Sequence, residues 1–131
     1  MDNKKNFGSL LIYDCKNCKG EINDKIILSS FLDNLVEGIM DMKIINKTFE
    51  WFDDNSYNRQ RNLVGYSITA IISLSSITIH ICSQLKTAYI DIFTCCNIDE
   101  NDKNKILDLI KKVFKPDLIK GKYIERGSNM G

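Results

Sequence analysis

The chain has one histidine, so His80 is the only imidazole available for acid–base work, and a histidine-rich metal site is excluded. Five cysteines supply thiols. Two of them form Cys15-Lys-Asn-Cys18, a lone CxxC. A zinc site needs two more ligands at similar spacing, and Cys82, Cys95 and Cys96 do not form a second CxxC. A redox pair belongs at a helix N-terminus after a strand, and the plain alternative is two loop thiols. Ser67 and Ser75 stand before His80 in the sequence, and Cys95 follows it in an Asp-x-Phe-Thr-Cys run. Taken singly, each has an ordinary explanation. His80 fits a satisfied polar group on a strand, Ser67 and Ser75 fit strand or turn serines, and Cys95 fits a small buried hydrophobe.

These residues must be positioned by one domain, because 131 residues and 15.1 kDa suit a single core spanning 1–131. The composition, 44% hydrophobic and 27% charged with one proline, is globular. A net charge of +1 gives no general pull toward nucleic acid or an anionic membrane. No apolar run reaches the length of a membrane span. The N-terminal stretch carries Asp14 and no small-residue cleavage site, so a secretory signal is not expected. With an odd number of cysteines, reduced thiols in a cytoplasm are the expectation.

Residues 9–15 read as a central strand and 15–21 as a loop. Asn23 or Asp24 can cap a helix running to Met40. In it Ile27, Phe31, Leu35 and Ile39 recur every four residues beside Leu28, Leu32, Val36 and Met40. Residues 44–52 favour a strand, and the polar segment 53–62 an exposed loop. Three further strands are expected at 66–73, 77–83 and 88–94, with links short enough for antiparallel neighbours. Asp99 can cap a second helix whose face is Ile106, Leu109, Ile110, Val113 and Phe114, with Pro116 marking its end. Residues 117–125 add a last strand, and 127–131 a frayed tail. The fold class is therefore α+β, a two-layer sandwich of a mainly antiparallel sheet with two helices on one face. Apolar residues on both faces of the strands leave the second face for a partner chain or a cavity.

The run Gly65-Tyr-Ser67 through Leu74-Ser75-Ser76-Ile-Thr-Ile-His80, then Ala88-Tyr-Ile-Asp91-Ile-Phe93-Thr94-Cys95, resembles the small bacterial and archaeal S-adenosylmethionine decarboxylase proenzymes. That family's pattern is roughly G-V-S-G-x(5)-E-S-H-x-x-I-H-T-W-P-E, then A-x-x-D-x-F-T-C-G. Its G-x-H-L-x-x-D matches Gly8-Ser-Leu-Leu-Ile-Tyr-Asp14, and the terminal Glu125-Arg126-Gly127 fits as well. The resemblance implies an S-adenosylmethionine decarboxylase-like fold and a pyruvoyl-dependent carboxy-lyase feeding polyamine (spermidine) biosynthesis.

It also implies roles. Ser75 would be the pyruvoyl precursor, its hydroxyl attacking the Leu74 carbonyl to turn an amide into an ester, with Ser67 assisting. His80 would remove the Ser75 α-proton, so that the ester is eliminated and the chain divides between Leu74 and Ser75. The dehydroalanine left at residue 75 tautomerises to an imine, which water hydrolyses with loss of ammonia. The resulting N-terminal pyruvoyl group forms a Schiff base with a substrate amine and accepts the electrons released with carbon dioxide. Cys95 matches the general acid that returns a proton to the α-carbon, a role that a positioned thiol can fill. A homodimer whose active sites draw on both protomers is implied too, and no residue points to a metal or to putrescine activation. Ser75 and His80 stand at odd separation, so a turn or bend after Ser75 is expected to bring them together.

The departures fall around the substrate. The family glutamate before the cleaved serine is Leu74, and the histidine after it is Ser76. The family Trp, Pro and Glu beyond the processing histidine are Cys82, Ser83 and Gln84. The first-strand histidine is Leu10, and a family phenylalanine that can stack on adenine falls at Arg61. S-adenosylmethionine is the leading substrate. The same chemistry on ornithine or arginine is the second reading, and an uncleaved, non-enzymatic regulatory homologue the third.

Overall fold

A computed structural model describes residues 8–127 of the chain. The first seven residues and the expected tail beyond Gly127 lie outside the described residues. The order is β1 (Ser9–Cys18), α1 (Lys25–Asp33) continuing as a π-helical turn (Asn34–Ile39), β2 (Asn46–Phe52), α2 (Ser56–Gln60), β3 (Gly65–Ile72), β4 (Ser75–Cys82), β5 (Thr87–Thr94), α3 (Glu100–Phe114) and β6 (Pro116–Glu125). The strands form one antiparallel sheet in the order β2-β3-β4-β5-β1-β6. The expected α+β layer is what forms, and β1 is an interior strand. No helix among the described residues is long and apolar enough to cross a membrane.

Alternation builds the core. Leu11, Tyr13 and Cys15 on β1, Ile68, Ala70 and Ile72 on β3, Ile77, Ile79 and Ile81 on β4, and Ala88, Ile90 and Ile92 on β5 all turn to one face and are buried. Against them pack Leu28, Phe31 and Leu32 of α1, Leu35 and Val36 of the π turn, and Ile106, Ile110 and Phe114 of α3. Asp24 caps α1 by accepting from the amides of Ile26 and Ile27 at 2.9 and 3.2 Å. Asp99 caps α3, and Lys115 ends it in the left-handed region at φ 47 before Pro116 opens β6. The two helices meet edge to face through Phe31 and Phe114, with ring centroids 5.1 Å apart. Both rings are fully buried, so Phe114→Ala is expected to lower unfolding free energy by about 3–5 kcal/mol, measured by urea denaturation.

Four local expectations are corrected. β1 runs on to Cys18 instead of ending at Cys15. Asn17 sits at φ 50 opposite Asp117, with the register unshifted between Lys16↔Leu118 and Cys18↔Pro116, and Cys15 and Cys18 are both buried strand residues and not loop thiols. The helix from Asp24 does not stay α-helical to Met40. Past Asp33 it widens, with the Met40 amide donating to the Leu35 carbonyl at 3.0 Å. That five-residue turn keeps Leu35 and Met40 on the core side together. Finally, part of the polar 53–62 segment is the one-turn helix α2, capped by Asn55.

Candidate active site

β3 and β4 are joined by a two-residue turn, Ser73-Leu74, in which Ser73 takes φ 50. The Leu74–Ser75 peptide bond therefore lies at a hairpin tip. The environment changes sharply across it, since Leu74 is 77% exposed and Ser75 2%. Ser75 opens β4, and the register Ser76↔Phe93 brings the residue just past the end of β5 alongside it. That residue is Cys95. Its amide donates to the Ser75 hydroxyl at 3.3 Å, and the hydroxyl donates toward its sulfur at 3.9 Å. Thr94 and Cys96 on either side are buried and bonded to each other, so Cys95 is the exposed member of the run. It is not the buried small hydrophobe that its residue type alone allows. A cavity of about 510 Å³ opens at the pair, walled by Met42, Lys43, Ile45 and Ile72. Lys43 is its one charged lining residue among the described residues. Nothing in the 41–45 loop's sequence signals this position, because it belongs to no motif.

Ser67 and His80 form a second pair, opposite each other in the β3–β4 ladder, with Ser67 Oγ 2.8 Å from His80 Nδ1. They lie on the face of the sheet that the helices leave open. A pocket of about 260 Å³ beside them is lined by Phe52, Asn62, Leu63, Val64, Tyr66 and Tyr89 among others. Gly65 lets β3 approach β4 here, because a Cβ on it would stand 1.8 Å from the Ile81 carbonyl oxygen, and its φ is 155.

The expected bend after Ser75 is absent. The turn comes before Ser75, and β4 runs unbroken from Ser75 to Cys82. Five residues of strand separate Ser75 and His80 by roughly 17 Å. Their opposite parity puts Ser75 with the buried Ile77, Ile79 and Ile81, and His80 on the open face. The four residues thus fall into two pairs, Ser75–Cys95 and Ser67–His80, that one chain does not join.

The departing positions have structural work of their own. The Cys82 thiol donates to the Asn62 carbonyl at 3.5 Å, and Ser83 Oγ bonds Asn23 Oδ1. Gln84 accepts from the Val64 amide at 3.3 Å and donates to the Arg59 carbonyl at 2.9 Å, pinning the α2 segment to the sheet. Arg61 stacks on Tyr57, 3.7 Å from its ring centroid, and donates to the Tyr57 carbonyl, so it does not line the pocket beside His80. Ser76 and Leu10 are half-buried on the open face, each beside Phe93. Cys15 and Cys18 interact through their thiols. The hydrogen bond to Cys18, then burial, pushes Cys15 up, and the same bond holds Cys18 down. Among the described residues no group of three or more His, Cys, Asp or Glu comes together as a metal site would require.

The family model for S-adenosylmethionine decarboxylase matches residues 9–127. No curated protein matches. Among solved structures, the adenosylmethionine decarboxylase from Aquifex aeolicus VF5 has the same fold, with a TM-score of 0.71 and 19% identity over 94% of this chain and 92% of that one. The family match includes β1, both long helices and the two residue pairs, and on its extent the chain belongs to the S-adenosylmethionine decarboxylase family.

Proposed function

We propose that the chain is a self-processing, pyruvoyl-dependent decarboxylase with S-adenosylmethionine as its substrate, dividing between Leu74 and Ser75. The observation that carries this reading is the hairpin tip. An exposed Leu74 precedes a buried serine whose hydroxyl is held by the amide and thiol of Cys95. The Ser75 Oγ and the carbonyl it must attack belong to adjacent residues, so the acyl shift needs no distant nucleophile. A left-handed Ser73 at the tip costs about 1–3 kcal/mol.

The residues fit the group that would form. When present, a pyruvoyl carbonyl at position 75 supplies an electron sink for carbon dioxide loss. Cys95 is then the thiol closest at hand to return a proton to the substrate, and the cavity bounded by Met42, Ile45 and Ile72 gives that step apolar walls. His80 takes the Ser75 α-proton during processing, with Ser67 against its Nδ1. Because His80 stands roughly 17 Å along the strand from Ser75 in its own chain, we assign the acting imidazole to a second copy in a homodimer. The open face still carries half-buried Leu10, Ile12 and Phe93 and exposed Ile71, which suits such packing.

Intact mass spectrometry tests the reading. The expected result is two fragments, residues 1–74 and a 75–131 chain whose N-terminus reacts with a carbonyl-trapping amine. A single 15.1 kDa species overturns it and favours the uncleaved regulatory homologue. A second substrate reading, ornithine or arginine, is favoured by Arg61, which takes the position of a stacking ring and turns to Tyr57 instead. Carbon dioxide release measured with each substrate in turn separates the two.

A further inference from the structure

The ladder registers place one continuous polar row across the open face: Glu50, Ser67, His80, Tyr89, Asp14 and Lys120, each directly opposite the next. Directly opposed side chains in antiparallel strands have Cβ atoms about 4.5–5.5 Å apart, close enough to interact. Within this row the Ser67–His80 bond can run in two directions. If Ser67 donates to Nδ1, the neutral ring carries its proton on Nε2 and has no free lone pair. If Nδ1–H donates to Ser67 Oγ, Nε2 is bare and able to take a proton, and the Ser67 hydroxyl proton must find another acceptor. Among the described residues His80 is the one side chain bonded to Ser67. The acceptor next in the row is the Glu50 carboxylate, on β2 and exposed.

We propose that Glu50 is a positioning residue. By accepting from Ser67 it holds His80 as the Nδ1–H tautomer, with Nε2 turned to the pocket as the proton-accepting nitrogen. This deepens the reading of His80 as the processing base and rests on it. Glu50 touches neither Ser75 nor the reacting bond, and it acts only through Ser67. Tyr89 flanks the ring on the other side but reaches it from β5, so it does not compete for the Ser67 proton.

The single histidine makes the test direct, because one imidazole gives one pair of nitrogen resonances. A two-bond 1H–15N correlation spectrum of the purified protein, at a pH where the ring is neutral, distinguishes the tautomers. The expected result is Nδ1–H in the native protein and in Glu50→Gln, whose amide oxygen still accepts. Glu50→Ala is expected to shift toward Nε2–H and to slow appearance of the 75–131 fragment about tenfold during cell-free synthesis, as loss of a ring-orienting partner does. An unchanged tautomer in Glu50→Ala, or Nε2–H in the native protein, overturns the proposal. A native protein that never divides refutes the processing reading alone, since the spectrum decides the role of Glu50 without it.

Discussion

Ser75→Ala is expected to leave the chain as one 15.1 kDa species, with no 75–131 fragment and no carbon dioxide release on any substrate. Alanine removes the Oγ that attacks the Leu74 carbonyl, and no other hydroxyl is covalently adjacent to that bond on its C-terminal side. The variant should still fold. It loses the bond in which the Ser75 hydroxyl accepts from the Cys95 amide at 3.3 Å and the long donation to the Cys95 sulfur at 3.9 Å, each worth about 1 kcal/mol or less. Ser75→Cys keeps a nucleophile at the same place and is expected to divide slowly. The wild-type fragments should remain one particle under native conditions. β4 and β5 lie between β3 and β1, and β6 lies outside β1, so strands from residues 1–74 and 75–131 interleave in the sheet. Separating them means breaking three ladders, β3–β4, β5–β1 and β1–β6. A denaturing gel is therefore expected to show two bands where size-exclusion chromatography shows one peak. An alanine variant that still divides at this bond would remove Ser75 from its assigned role.

How far the sequence carries can be argued from β4. Ile77, Ile79 and Ile81 alternate with Thr78, His80 and Cys82, and that period is strong enough to assign the strand and its buried face from residues alone. The same period already implies that Ser75 and His80 point to opposite sides. What the period does not reveal is whether the chain bends between them, because a bend is a backbone event at residues that accept either conformation. The Ser75–Cys95 contact has a different origin. It depends on the register of β4 against β5, set over a 20-residue separation by how both strands bury their isoleucines. The π turn is hidden for a related reason. Rows repeating every four residues fit an α-helix, and only packing of Leu35 and Met40 on the same core favours the wider turn. The left-handed turn of the backbone at Asn17 is equally local, and Cys15 and Cys18 on either side of it are core residues despite polar neighbours. Lys43 and Glu50 carry no motif, and each gains significance only from what the fold sets beside it.

His80→Ala alone is expected to abolish division, and Ser75→Ala alone does the same, yet co-expression of the two should restore it in one of them. A base must come within about 2.6–3.2 Å of the proton that it removes. Five residues of unbroken strand hold His80 roughly 17 Å from Ser75 in the same chain, far beyond what an imidazole side chain spans. An isologous pair of open faces offers the second copy's ring instead. In a mixed dimer the His80→Ala chain keeps Ser75, and its Ser75→Ala partner keeps His80, so the first chain should divide and the second never. Random pairing puts about half of the chains in mixed dimers, so about half of the His80→Ala chains should be cut. Tags of different mass on the two variants make the assignment unambiguous. Restoration confined to the His80→Ala chain means that the imidazole works across the interface. No restoration, with mixed dimers confirmed by pull-down through either tag, means that His80 does not act from a second copy, and the proton must then be taken by a group other than His80.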